Sequence, residues 1–205
     1  QTTPAQNYNT IGTFSPSLTV TAINGCTNTE TQTVSVYQSP VVDFVPQSVC
    51  TNTAAIFSDQ STSSAGDPII SWNWDFDNGQ NSTTQNPTTT YTADGIYNIT
   101  LEVNTANCNN IATIPITVEP LPVAGFNQDV LSGCTDLTVT FTNTSSGAVS
   151  YEWDFGDGNS STTIDPTNTF VNNGSVDTDF NTSLIASTAF GCKDTAFSTT
   201  TVYFG

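Results

Sequence analysis

Base is almost missing from this chain: of 205 residues only Lys193 is a Lys or Arg, and none is His. Asp and Glu total 18, an ordinary load, so the formal net charge of −17 comes from absent cations. Nucleic acid is held by cationic side chains that release counterions from phosphate. A surface without them excludes nucleic acid as a partner, and an anionic membrane surface for the same reason. The charge reads instead as solubility and mutual repulsion between crowded copies. Without His the chain lacks the commonest general base and both the Ser-His and Cys-His nucleophile systems. Five cysteines with no His and no Cys-x-x-Cys pair make no zinc ligand set. Apolar runs never exceed a few residues, which excludes direct membrane insertion by a spanning helix.

What is present is a repeat. Residues 70–79 read Ile-Ser-Trp-Asn-Trp-Asp-Phe-Asp-Asn-Gly, and residues 149–158 read Val-Ser-Tyr-Glu-Trp-Asp-Phe-Gly-Asp-Gly. Trp74 and Trp153 are 79 residues apart. Helical and leucine-rich solenoids repeat every ~20–50 residues, so this period points to an array of small β-sandwich domains. Within the first copy, Ile70, Trp72, Trp74 and Phe76 fall on one face of a strand, with Ser71, Asn73 and Asp75 on the other. Tyr97, Ile99, Leu101 and Val103 alternate in the same way, and so do Val149, Tyr151, Trp153 and Phe155 in the second copy. One buried and one wet face is the pattern of antiparallel sandwiches.

Three segments align. Residues 39–120 form a complete unit, with strands at 41–45, 54–59 and 69–76, a tight turn at Asp77-Asn78-Gly79, and a hairpin of 96–103 with 111–118. Residues 121–205 repeat it, with one difference. Gly174 to Cys192 spans 18 residues, against 13 from Gly95 to Cys108, so the region around residues 176–179 is predicted to bulge or to lengthen a loop. Residues 1–38 match only the C-terminal half of a unit, and its missing strands are expected upstream. The joints are short and carry proline, at Pro40, Pro120 and Pro122, which favours a rod.

Trp-Asp-Phe-Gly-Asp-Gly at 153–158, Asn86-Pro87 followed by Tyr91, and Asp94-Gly95-Ile96-Tyr97 resemble the PKD domain, an immunoglobulin-like module of extracellular proteins. The middle copy departs from the family pattern at Asp77-Asn78-Gly79, where Gly-Asp-Gly is usual. The resemblance implies an all-β chain of tandem antiparallel sandwiches, located outside the cell or on its surface. It further implies a spacer or interaction role, with neighbouring repeats of the same chain as partners and surface polysaccharide or protein as candidate ligands. The hairpin at residues 24–27, Asn-Gly-Cys-Thr, and Gly191-Cys192-Lys193 resemble tandem repeats of giant secreted adhesins of Bacteroidota, including those used in gliding. Other members of the family serve as accessory modules of secreted hydrolases.

The carboxylate pairs Asp75/Asp77 and Asp154/Asp157 are the one arrangement with catalytic geometry in reach, since paired acids cleave glycosidic bonds. They sit in the turn motif, where a short acceptor side chain caps a tight turn before Gly79 or Gly158. A non-catalytic role is therefore expected. The same four acids are the calcium candidates, because hard cations take several oxygen ligands. Trp72, Trp74, Tyr151 and Trp153 could stack on sugars, but the alternation turns all four inward, with Trp74 and Trp153 at the centre of each core.

Cys50 and Cys134 precede the second strand of their units, whereas Cys26, Cys108 and Cys192 lie in the last hairpin turn. Two classes recurring in register suggest disulfides and an oxidising compartment. In an immunoglobulin-type sandwich these two places are at opposite poles, farther apart than the ~7 Å that bridged Cα atoms tolerate. Head-to-tail stacking favours Cys50 with Cys192. Pairing within units, Cys50 with Cys108 and Cys134 with Cys192, is the alternative.

Overall fold

The computed structural model describes residues 5–205, and the chain is all-β, with no helix among them. The chain divides into two compact units. One comprises residues up to Gln47, Ala54–Thr89 and Ile96–Ile116; the other comprises Ser48–Thr53, Thr90–Gly95 and Thr117–Gly205.

The chain begins with four short strands, β1 (Gly12–Phe14), β2 (Ser17–Thr21), β3 (Thr27–Thr31) and β4 (Val34–Val36), paired as β1 with β4 and β2 with β3. Of their apolar side chains, Leu18, Val20 and Val34 are exposed and Phe14 and Val36 half-buried.

Nine strands follow: β5 (Phe44–Val45), β6 (Val49–Cys50), β7 (Ala54–Ile56), β8 (Ser58–Asp59), β9 (Ile69–Asp75), β10 (Asn81–Ser82), β11 (Thr88–Thr90), β12 (Gly95–Thr105) and β13 (Asn109–Glu119). One sheet runs β10-β9-β12-β13-β6, and the pairs β11-β7 and β5-β8 form the facing layer. The alternation in β12 works as read: Ile99, Leu101 and Val103 are buried. In β9 it fails at one end. Trp74 (0% exposed) and Phe76 are buried and Trp72 half-buried, but Ile70 is 60% exposed. The cause is a bulge: Ser71 faces Asn104 and Ile69 faces Thr105, so Ile70 has no cross-strand partner and leaves the buried face.

The last eight strands are β14 (Phe126–Gln128), β15 (Ser132–Cys134), β16 (Leu137–Asn143), β17 (Ser150–Asp154), β18 (Ser160–Ser161), β19 (Thr167–Phe170), β20 (Thr178–Ser187) and β21 (Lys193–Tyr203). They form sheets β14-β16-β19 and β15-β21-β20-β17-β18, the same order as before with β16 continuous where β7 and β8 are broken. Val139, Phe141, Trp153 (2% exposed), Phe155, Phe170, Leu184 and Val202 make the core. Val149, placed with the inward residues by alternation, is 67% exposed because it precedes the strand. The residues added in this copy form a loop over 171–177, and β20 then pairs with β21 from Thr178 to Ser187 without a bulge. Asn172 organises that loop: its amide donates to the carbonyls of Val176 and Val202, each at 2.8 Å, and its side-chain oxygen accepts from Gly174 N at 2.9 Å.

Candidate functional site

The Trp-Asp-Phe strand ends by turning sharply, and the turn positions the acids singled out above. Asp75 Oδ1 accepts from Asp77 N at 2.9 Å, and Asp154 Oδ1 accepts from Gly156 N at 2.9 Å. These are Asx turns, in which a short carboxylate replaces a backbone carbonyl. Asp77 and Gly156 both adopt a left-handed backbone, with φ of 57° and 78°. Asp77, not Asn78, is therefore the counterpart of Gly156, and Asn78 is the counterpart of Asp157. Asp tolerates positive φ better than most residues, and Asp77 Oδ2 accepts from Asn98 N at 2.9 Å. At Gly156 a Cβ would come within 2.6 Å of the Asn181 carbonyl oxygen, so this copy admits only glycine there.

Asp157 accepts from Asn159 N at 2.9 Å, from the Asn159 amide at 3.0 Å and from the Asn168 amide at 2.8 Å. Asn78 does the same work uncharged, accepting from Gln80 N at 3.0 Å and donating to Thr89 Oγ1 at 3.2 Å. The two pairs of calcium candidates are thus not equivalent positions. Each of the four acids has at least one oxygen engaged by a backbone N–H of the turn or of a neighbouring strand. Among the described residues, no cluster of three or more His, Cys, Asp or Glu side chains could hold a metal ion.

The aromatic candidates sit in matched settings. Trp74 packs against Phe44, Phe57 and Phe76, with centroids 5.0, 5.6 and 6.3 Å away. Trp153 packs against Phe126, Phe141 and Phe155 at 5.0, 5.5 and 6.4 Å. Each indole N–H donates at 3.0 Å to a carbonyl ten residues on, Thr84 or Thr163. Tyr151 is half-buried. Trp72 is half-buried too, and its N–H donates to Asp59 Oδ2 at 2.7 Å.

Two further acids escaped the sequence patterns. Asp67 is fully buried (0% exposed) and accepts from Thr105 Oγ1 at 2.7 Å and from the Asn107 amide at 2.9 Å. Asp59 accepts from Ser61 N at 2.9 Å and from the Gln85 amide at 3.1 Å, besides Trp72. Burial pushes the Asp59, Asp67 and Asp157 carboxyls up, but hydrogen bonds from their donors outweigh it and hold all three below the ordinary carboxylate value. Depression makes each a poorer base, the wrong direction for proton transfer near neutrality.

The sign for stability follows. A carboxyl whose folded value is depressed contributes stability above its unfolded value, near 3.9, and loses it as pH falls through the folded value. The melting temperature of the chain is expected to exceed that of Asp67→Asn at pH 7, and the gap should close below about pH 4. Thermal melts of both proteins from pH 7 to 2 check this; a gap that stays constant or widens in acid would contradict it.

Cys50 and Cys192 are joined in a disulfide, with Cα atoms 5.6 Å apart and a sequence separation of 142. Both cysteines belong to the compact unit that contains β14–β21. Cys50 lies on β6, which pairs parallel with the end of β13 and was not legible as a strand. Thr51 N and Oγ1 both donate to the Glu119 carbonyl at 2.8 Å, and Asn52 N donates to the Tyr91 carbonyl at 2.8 Å, so the loop carrying Cys50 is tied down on both sides. Cys26, Cys108 and Cys134 are free thiols.

Among curated proteins, the chain is similar to the pre-pro-metalloprotease PrtV of Vibrio cholerae, 37% identical over 99 residues. That match covers 46% of this chain and 11% of PrtV. Two solved structures are also similar. The PKD1 domain of Vibrio anguillarum Epp is 28% identical, with a TM-score of 0.38, over 42% of this chain and 99% of that domain. The PKD1 domain of the Vibrio cholerae metalloprotease PrtV is 33% identical, with a TM-score of 0.34, over 40% of this chain and 98% of that domain. The family profile of the PKD domain matches residues 37–118 and 117–202, and the chain therefore belongs to the PKD domain family, as a tandem of non-catalytic modules.

Proposed function

We propose that the chain is a stalk segment, a structural repeat of a secreted or cell-surface adhesin of the kind found in giant gliding adhesins of Bacteroidota. The observation that carries this reading is the Cys50–Cys192 disulfide, which ties a strand cysteine of the first PKD match to a hairpin cysteine of the second. Disulfides persist in oxidising compartments, and a bond reaching from one repeat into the next serves a module whose task is to keep its length. The short proline-bearing joint at Pro120 and Pro122 supports the same role. So does the charge of −17, since neighbouring stalks of one sign repel each other. The partners of such a segment are the repeats before and after it.

The similarity to PrtV favours a second reading, an accessory module that holds carbohydrate or protein for a secreted hydrolase. Sugar-binding platforms present exposed aromatic faces, whereas Trp74 and Trp153 are buried and Trp72 and Tyr151 half-buried. Native electrophoresis through gels cast with soluble polysaccharides separates the two readings. The stalk is expected to migrate at the same rate in every gel. Retardation by one polysaccharide class would overturn the stalk in favour of the binding module.

A further inference from the structure

The cysteines fall into two classes by backbone setting, and the one bond present joins a member of each. Cys50 lies on β6, parallel to β13, opposite Glu119 and directly after the Val49–Val118 pair. Cys134 lies on β15, parallel to β21, opposite Tyr203 and directly after the Gly133–Val202 pair. Val118 and Val202 are both buried, so the two cysteines occupy the same place on equivalent sheets.

The hairpin class shares one feature, a cysteine carbonyl that accepts from a backbone N–H three or four residues earlier, and in Cys108 and Cys192 the cysteine N–H also meets a threonine hydroxyl. Cys192 N donates to Thr188 Oγ1 at 3.1 Å, and its carbonyl accepts from Thr188 N at 2.9 Å. Cys108 N donates to Thr105 Oγ1 at 2.9 Å, and its carbonyl accepts from Thr105 N at 2.8 Å. The Cys26 carbonyl accepts from Ala22 N at 2.8 Å, with Gly25 at φ 84° where the Cys192 turn has Gly191 at φ 99°. Among the described residues, the strand cysteine Cys134 and the hairpin cysteines Cys26 and Cys108 are the thiols left over. Cys26 and Cys134 are exposed and Cys108 half-exposed, open to reaction from outside.

We propose that the Cys50–Cys192 bond is one link of a periodic series, and that Cys134 forms the same link with the hairpin cysteine of a further repeat of this kind. Cys26 and Cys108 then receive strand cysteines in the same manner. The partner is a second copy of this repeat, recognised by the matching sheet and hairpin positions rather than by a foreign surface. This inference stands whether the chain is a stalk or an accessory module.

Formation of the link is a two-electron oxidation. The Cys134 and hairpin thiols lose two protons and two electrons to form one S–S bond. A small-molecule disulfide such as oxidised glutathione takes them up and leaves as two thiols, by way of a mixed disulfide.

The test incubates the full chain, concentrated, with reduced and oxidised glutathione, and maps the products by non-reducing gel and mass spectrometry. Covalent oligomers are expected in which Cys134 is joined to Cys26 or Cys108. Cys134→Ser should lose them completely while the same map still shows Cys50 joined to Cys192, which establishes that the variant has folded. Bonds of one class with itself, Cys134 to Cys134 or Cys26 to Cys26, in equal or greater amount would overturn the series. So would a Cys134 that takes up glutathione and nothing else.

Discussion

Reduction of the Cys50–Cys192 disulfide is expected to destabilise the unit that contains it by about 5 kcal/mol, the chain-entropy value for closing a loop of this length. The bond closes 142 residues, so the unfolded chain regains most of its freedom when the bond opens, and the folded chain loses little else. The ends are held independently: Thr51 is bonded to Glu119 and Asn52 to Tyr91, while the Cys192 turn rests on Thr188. The native arrangement therefore survives reduction at low denaturant, and the effect is felt in the midpoint. Guanidinium unfolding with and without reductant measures it. A change below about 1 kcal/mol would mean that the oxidised, unfolded chain is no more restricted than the reduced one.

Trp153→Ala is expected to cost about 3–5 kcal/mol, the usual range for deleting a large buried aromatic. Trp153 is enclosed by Phe126 on β14, Phe141 on β16 and Phe155 directly after β17, which limits how far the core can close over the space it leaves. Its indole N–H is also the partner of the Thr163 carbonyl. Trp153→Phe keeps part of the ring and drops the hydrogen bond, for an expected loss near the lower end of that range. Denaturant unfolding of both variants checks the pair; a loss under about 1 kcal/mol for the alanine variant would remove Trp153 from the centre of its core.

The core was legible where a side chain's neighbours are set by its own strand. Alternation and a following turn were enough to find Trp74, Phe76, Trp153 and Phe155. Ile70 and Val149 were misread because their exposure is decided elsewhere, by a bulge against Asn104 and Thr105 in one case and by where β17 begins in the other. β6 and β15 were missed because two or three residues carry no periodicity, and only pairing with β13 and β21 makes them strands. Asp67 left no local trace: its donors Thr105 and Asn107 are about forty residues away in sequence. The repeat alignment already places Asp77 opposite Gly156, and their shared left-handed backbone agrees; residue type alone grouped Asp77 with Asp157 as acid candidates. Cysteine spacing left two disulfide patterns open, since Cys50 to Cys108 and Cys134 to Cys192 are equally far apart in sequence.

A stalk must keep its length under tension, so stretching single molecules by their ends, oxidised and then reduced, tests the account most directly. With the disulfide closed, the chain from Cys50 to Cys192, a sequence separation of 142, is shielded from the force. At about 3.4 Å per extended residue, the fully unfolded oxidised chain is expected to be about 480 Å shorter than the reduced one. Abrupt unfolding steps should precede full extension in both states. Equal contour lengths with and without reductant, or smooth extension without steps, would contradict a disulfide-locked stalk.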